Sequence, residues 1–206
     1  MVHYKLYYFE SKGAAQAARD LFTLAGVEFE DIRYSDEEWG SHKHEMPFGQ
    51  MPVLEVDGLQ IPQSMAINRY LARKFGYAGK NPEEEALVDG FADQYYDFKG
   101  AIKTYYYVVA GWEKGDVEKL EKEIMIPARD KFFALITKFL KKSKSGYLTN
   151  GGLTFADILI AEHILTMNGF YPDYVKGFPE IDEYYQKVLN VPALKEYIKT
   201  RPQTDS

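Results

Sequence analysis

Gln50-Met51-Pro52 runs directly into the strand pattern Val53-Leu54-Glu55-Val56, and after a short hairpin Gln63-Ser64 opens a helical pattern. Ser64 stands where free backbone N–H groups and the helix dipole suit an anion, although an ordinary N-cap serine is the plainer alternative. Trp39 and Lys43 are four apart and share a face if their stretch is helical, bringing an indole N–H beside an ammonium. Asp93 and Asp97 stand at the same spacing. A carboxylate pair can hold Mg2+ through water, but Tyr96 occupies the position where a third acid would help, and no metal is expected. His42-x-His44 reads as solvent-facing loop, and His163, inside an apolar run, as a satisfied core histidine. The chain has no cysteine, which excludes disulfides, cysteine metal sites and a cysteine nucleophile. If sulfur chemistry occurs here, the thiol must arrive with the substrate.

The elements that would position these groups can be read along the 206 residues. Residues 3–9 read as a strand, 14–24 as a helix stopped by Gly26, and 27–34 as a second strand, giving a β-α-β unit. Residues 53–56 and 59–61 form a hairpin over Asp57-Gly58, and 64–75 form a helix. After a linker at 76–82 no convincing strand remains. One long helix is expected over 83–109 and another over 116–142, kinked at Pro127. A nearly uncharged helix follows at 155–167, opened by a capping box in which Asp157 replaces the usual Glu or Gln. Short helices are expected at 180–189 and 193–200. The fold class is therefore α/β followed by all-α, a βαβ-ββα domain over 1–79 and a helical bundle over 81–206.

Hydrophobic residues at 46% allow a substantial core, and 17 Tyr with 13 Phe exceed what a small core needs, so some should line a pocket or an interface. A net charge of −6 argues against nucleic acid and anionic membrane as partners. The N-terminus lacks a signal-peptide pattern and no apolar run reaches membrane-spanning length, so a cytoplasmic protein is expected.

Four motifs occur in order: Tyr4-Lys5-Leu6 with Tyr8-Phe9; the run Pro47-Phe48-Gly49-Gln50-Met51-Pro52-Val53-Leu54-Glu55-Val56-Asp57-Gly58; Gln63-Ser64-x-Ala66-Ile67-x-Arg69-Tyr70-Leu71; and Leu153-Thr154-x-x-Asp157. Over essentially its whole length the chain resembles the cytosolic glutathione transferases, most nearly the sigma class. The resemblance implies a thioredoxin-like first domain, glutathione as the thiol donor with no other cofactor, small apolar electrophiles as acceptors, and a homodimer.

It further implies roles for particular residues. Tyr8 is the expected catalytic residue. A free thiol is only a few per cent ionised near neutrality, and a phenol O–H aimed at sulfur favours the thiolate. Lowering a thiol pKa by two units needs roughly 2.7 kcal/mol, and one hydrogen bond to an ion supplies about 1.5–3 kcal/mol. Pro52 is expected to follow a cis peptide bond, so that Met51 pairs with the ligand backbone as an added strand. Trp39, Lys43, Gly49, Gln50, Met51, Gln63 and Ser64 complete the glutathione contacts, with Lys43 at the glycyl and Ser64 at the γ-glutamyl carboxylate. Asp97 is expected to reach across a dimer interface to the ligand's α-amino group. Phe9 and the loop before Gly13 would form one wall of the electrophile pocket, and Tyr105 and Tyr106 the facing wall. Relatives often carry arginine at positions equivalent to Lys12 or Ala14; Lys12 keeps a charge without the planar fork and Ala14 has none. That departure weakens the case for prostaglandin isomerisation. The competing readings are a carrier of haem or other flat apolar ligands and a structural protein of the lens-crystallin kind.

Overall fold

The aromatic-rich run 4–9 builds β1 (Tyr4–Phe9), which turns Tyr4 and Leu6 into the core. The structure is a computed structural model and describes residues 2–204. β1 pairs in parallel with β2 (Glu30–Tyr34) and antiparallel with β3 (Val53–Val56), and β3 continues into β4 (Leu59–Pro62), giving the sheet order β2-β1-β3-β4. Asp57 and Gly58 both adopt positive φ, 49° and 88°, as the tight hairpin predicted from this dipeptide requires. One sheet face packs on α1 (Gln16–Ala25) and α3 (Ser64–Phe75): the Tyr4 ring meets Phe22 edge-on at 5.2 Å and Phe75 at 6.3 Å.

β2 begins three residues later than its pattern suggested. Val27 donates its N–H to the Phe22 carbonyl in the C-terminal stop of α1, and Phe29 stacks on Phe22 at 4.3 Å. The alternation of 27–29 therefore serves helix termination, not pairing.

The chain divides into two units, 2–77 with 191–204, and 78–190. The last helix, α10 (Pro192–Thr200), thus folds with the first unit although it was expected with the helical domain. Its partner is α1, whose buried face includes Gln16, Arg19 and Asp20. That polar face needs partners, and Arg201 Nη1 lies 3.7 Å from Asp20 Oδ1.

The second unit is all helical. Asn81 caps α4 (Pro82–Ala101) by accepting the Glu84 N–H at 2.9 Å. The expected single helix over 83–109 is broken at Ile102, beyond which α5 (Lys103–Val109) continues. Ile102 sits at φ −95°, ψ 4°, with its side chain fully buried just after Gly100, a weak helix former. The expected kink at Pro127 appears as α6 (Val117–Leu120), one turn of π-helix (Glu121–Met125) and α7 (Ile126–Leu140) with proline in its first turn. A proline ring cannot donate into the preceding turn, and the wider turn absorbs the missing bond. α8 (Phe155–Phe170) is buried nearly all round, and α9 (Pro179–Leu189) packs beside it. Asp157 accepts from the Thr154 N–H and hydroxyl at 2.8 and 2.6 Å, the Leu148 N–H at 2.9 Å and the Tyr184 hydroxyl at 3.0 Å. Burial pushes this carboxyl upward while those four donors pull it down.

Candidate active site

Sheet register brings the candidate residues of the first unit to one edge. Tyr7 pairs with Val53 and Val53 with Pro62, so Tyr8, Pro52 and Gln63 all leave the sheet at the same end. Phe9 pairs with Tyr34 at that end, and Ser35 then caps α2 (Asp36–His42) in a capping box with Glu38. The exits of parallel strands β1 and β2, the entrance of β3 and the exit of β4 therefore converge, in the position where open α/β sheets take their ligands.

Tyr8 is partly buried, and its hydroxyl oxygen accepts the Ala14 N–H at 2.9 Å. The hydroxyl oxygen thus uses one acceptor site on the backbone, and a phenol O–H remains a hydrogen-bond donor group whatever its oxygen accepts. Gly13, at φ +39°, makes this contact possible: a Cβ there would meet the Tyr8 hydroxyl and come within 2.8 Å of Cε1. Tyr7 alternates to the other sheet face, where its hydroxyl donates to Glu55 at 3.2 Å. The Phe9 ring meets Tyr8 at 5.4 Å and Trp39 at 5.7 Å, both edge-on.

Trp39, on α2, is half-buried, and Lys43, which follows that helix, is exposed. The stretch that carries them is helical, as their shared face required. Gly49 packs against the Lys43 stem, with its Cβ direction 3.6 Å from Cε. The Met51–Pro52 peptide is cis. Gln63 adopts φ 74°, ψ 119°, a conformation costing a non-glycine residue about 1–3 kcal/mol. Such outliers concentrate at ligand sites, and the Gln63 amide approaches Gln50 Oε1 at 3.5 Å. Gln63, not Ser64, holds the N-cap position of α3, and its side chain makes no capping bond. Ser64 is the first helical residue, so the plain capping role does not apply to it. The first helical bond runs from the Ile67 N–H to the Gln63 carbonyl at 3.0 Å, which leaves the amides of 64–66 ahead of the ladder.

Asp97, Tyr105 and Tyr106 belong to the second unit. Asp97 is exposed on α4 beside Tyr96, itself 58% exposed. Tyr105 corrects the expected pocket wall: it is 1% exposed, and burial raises its pKa to about 12. Its ring fills core space and has no surface to offer a ligand. Tyr106 is half-exposed in an aromatic group with Trp112 at 5.6 Å and Phe170 at 6.0 Å. His42 is not the unpartnered loop histidine that the sequence suggested. It ends α2, stacks on Tyr34 at 4.2 Å and meets Glu45 at 3.2 Å. His163 has the expected core partner, the Tyr174 hydroxyl at 2.8 Å.

Sequence reasoning missed Arg19, whose side chain is fully buried with its guanidinium carbon 5.8 Å from the centre of the Tyr8 ring. The available signal was the pair Arg19-Asp20 inside an otherwise apolar helix.

A thioredoxin-like sheet edge bearing a tyrosine, followed by a helical domain, defines the architecture of the glutathione-using transferases. Residues 2–73 match the glutathione S-transferase N-terminal domain and residues 96–201 its C-terminal domain. Glutathione S-transferase 1 of Ascaris suum is 45% identical over 99% of both chains. A nu-class glutathione S-transferase structure from Haemonchus contortus is 53% identical over the whole of both chains, with TM-score 0.93. A structure described as a monomeric glutathione S-transferase from the hookworm Necator americanus is 54% identical over 98% of both chains, with TM-score 0.96. The chain belongs to the glutathione S-transferase family of enzymes.

Proposed function

We propose that the chain binds glutathione along the edge formed by Tyr8, Trp39, Lys43, Gly49, Gln50, Met51, Gln63 and Ser64, and transfers its thiolate to small apolar electrophiles. The observation that carries this reading is the Ala14 N–H donated to the Tyr8 hydroxyl at 2.9 Å. It holds the hydroxyl oxygen at the sheet end, and its O–H is taken as the donor to a bound sulfur. The thiol releases its proton to solvent, and Tyr8 donates a hydrogen bond to the sulfur anion without itself losing a proton. The sulfur then forms a bond to carbon while the acceptor takes up the displaced electron pair. Lys43 and the first turn of α3 supply positive charge and amide donors for the two ligand carboxylates. Phe9 is proposed as an electrophile contact, and the buried Tyr105 is not.

The class follows the nematode relatives: we read the chain as closer to the nu-class protein of Haemonchus contortus than to the sigma class suggested by its motifs. The test is Tyr8→Phe. The pH midpoint of kcat/KM with glutathione is expected to rise by about one to two units, and turnover near neutral pH to fall about ten-fold or more. An unchanged pH–rate profile would remove Tyr8 from the mechanism.

A further inference from the structure

Arg19 has no part in the mechanism described so far, yet its side chain is fully buried in the first unit. Its Nη1 donates to the Ser11 carbonyl at 2.8 Å and its Nη2 reaches the Phe9 carbonyl at 3.4 Å. The carbonyl between them, that of Glu10, accepts from Arg33 Nη1 at 2.7 Å. Asp31 joins the two arginines, accepting Arg19 Nε at 3.1 Å on one oxygen and Arg33 Nε at 2.8 Å on the other. Three successive carbonyls are thus held by two guanidinium groups sharing one carboxylate. The segment so held leads from Tyr8 to Gly13 and Ala14, and the Ala14 N–H returns to the Tyr8 hydroxyl.

We infer that Arg19 is a positioning residue for thiolate formation: it fixes residues 9–11 so that Ala14 meets the Tyr8 oxygen and the hydroxyl keeps its place. The inference rests on Tyr8 as the thiolate's donor. Stability alone gives weak reason for such a residue, because buried ion pairs are often replaced by apolar side chains at no loss. Lysine is no equivalent, since one ammonium cannot span two carbonyls and a carboxylate in the plane that the fork occupies. The charged and titratable groups facing Arg19 are Tyr8 from β1, Asp31 and Arg33 from β2, and Tyr197 from α10.

The experiment compares Arg19→Lys, Tyr8→Phe and the double variant, following bound thiolate by its ultraviolet absorbance across pH alongside KM and kcat. Arg19→Lys is expected to raise the thiolate midpoint by about half to one unit, to lower kcat near neutral pH, and to leave the glutathione KM within about two-fold. In the Tyr8→Phe background it should add no further rise, because its effect passes through the phenol. An unmoved midpoint in Arg19→Lys, or an equal rise in both backgrounds, overturns the inference while leaving Tyr8 in place. An unmoved midpoint in Tyr8→Phe overturns the reading of Tyr8 itself. If Arg19→Lys does not fold, Asp31→Asn takes its place. It loosens the shared anchor and should move the midpoint the same way by a smaller amount, and no movement there is equally decisive against the inference.

Discussion

A hydrogen atom on Gly13 is what allows the Tyr8 hydroxyl to sit under the Ala14 amide. Any Cβ at this position would collide with the phenol, and the backbone φ of +39° penalises a side chain even without the collision. Gly13→Ala is therefore expected to lower stability by about 1–2 kcal/mol and to cut kcat/KM by about ten-fold or more, since the ring must swing off its line. Thermal unfolding and steady-state turnover check the two parts separately, and a fully active variant would mean that the ring has room to move. The positions of Tyr8, Gln50, Met51, Gln63 and Ser64 at strand ends were legible in the sequence, and the family resemblance is what singled Tyr8 out among the tyrosines. The hydrogen bond that aims Tyr8 was not legible, because Ala14 contributes only a backbone group and every residue has one.

Helices in this chain are placed by polar anchors as much as by apolar stripes. In α8 the anchor at the start is Asp157, and within the helix it is His163, enclosed by Tyr95 at 5.5 Å, Phe98 at 5.3 Å and the Tyr174 hydroxyl. Burial, with the Lys99 charge adding to it, lowers the His163 pKa from 6.5 to about 3. The folded state therefore keeps this ring neutral where the unfolded chain would protonate it. Its contribution is present above about pH 6.5 and is lost progressively as pH falls toward 3, on the order of 5 kcal/mol in all. His163→Gln, which keeps a polar partner for Tyr174, is expected to flatten that dependence. Denaturant unfolding at about pH 7, 5.5 and 4 should show the gap between wild type and variant changing in the variant's favour. Parallel curves would assign acid sensitivity to other groups. Helix existence was readable here from apolar runs and the Thr154-x-x-Asp157 cap. The break at Ile102 and the π-turn before Pro127 were not, since both are local compromises with packing.

Taken as a whole, the molecule exposes large apolar groups where an isolated chain has no use for them. Phe48 is 63% exposed in its Pro-Phe-Gly loop, and Tyr96 is 58% exposed beside the exposed Asp97. We propose that these surfaces meet in a homodimer, which would give Asp97 access to a partner's ligand. Light scattering at micromolar concentration is expected to give twice the chain mass, and Phe48→Ser to shift it toward one. A single-chain mass in the wild type would exclude the dimer and align the protein with the monomeric Necator americanus structure.

The strand-forming runs within 4–9 and 53–61, the Asp57-Gly58 turn and the helix from Ser64 are local properties, set by strand propensity and turn chemistry within a few positions. They were sufficient to define the strands of the first unit and the sheet end where its candidate residues gather, and not the α10 that completes that unit. What lies far apart in sequence and touches in space was decided only by folding. Tyr105 and Tyr106 are neighbours of the same type, and packing buries one and leaves the other half-exposed. α10 joins α1 across more than a hundred residues because buried polar atoms there required partners. Arg19 reads in isolation as a solvated charge on a helix, and it is buried because the carbonyls of 9–11 and the Asp31 carboxylate converge on it. Satisfying buried polar groups is a three-dimensional condition, and no window of sequence contains it.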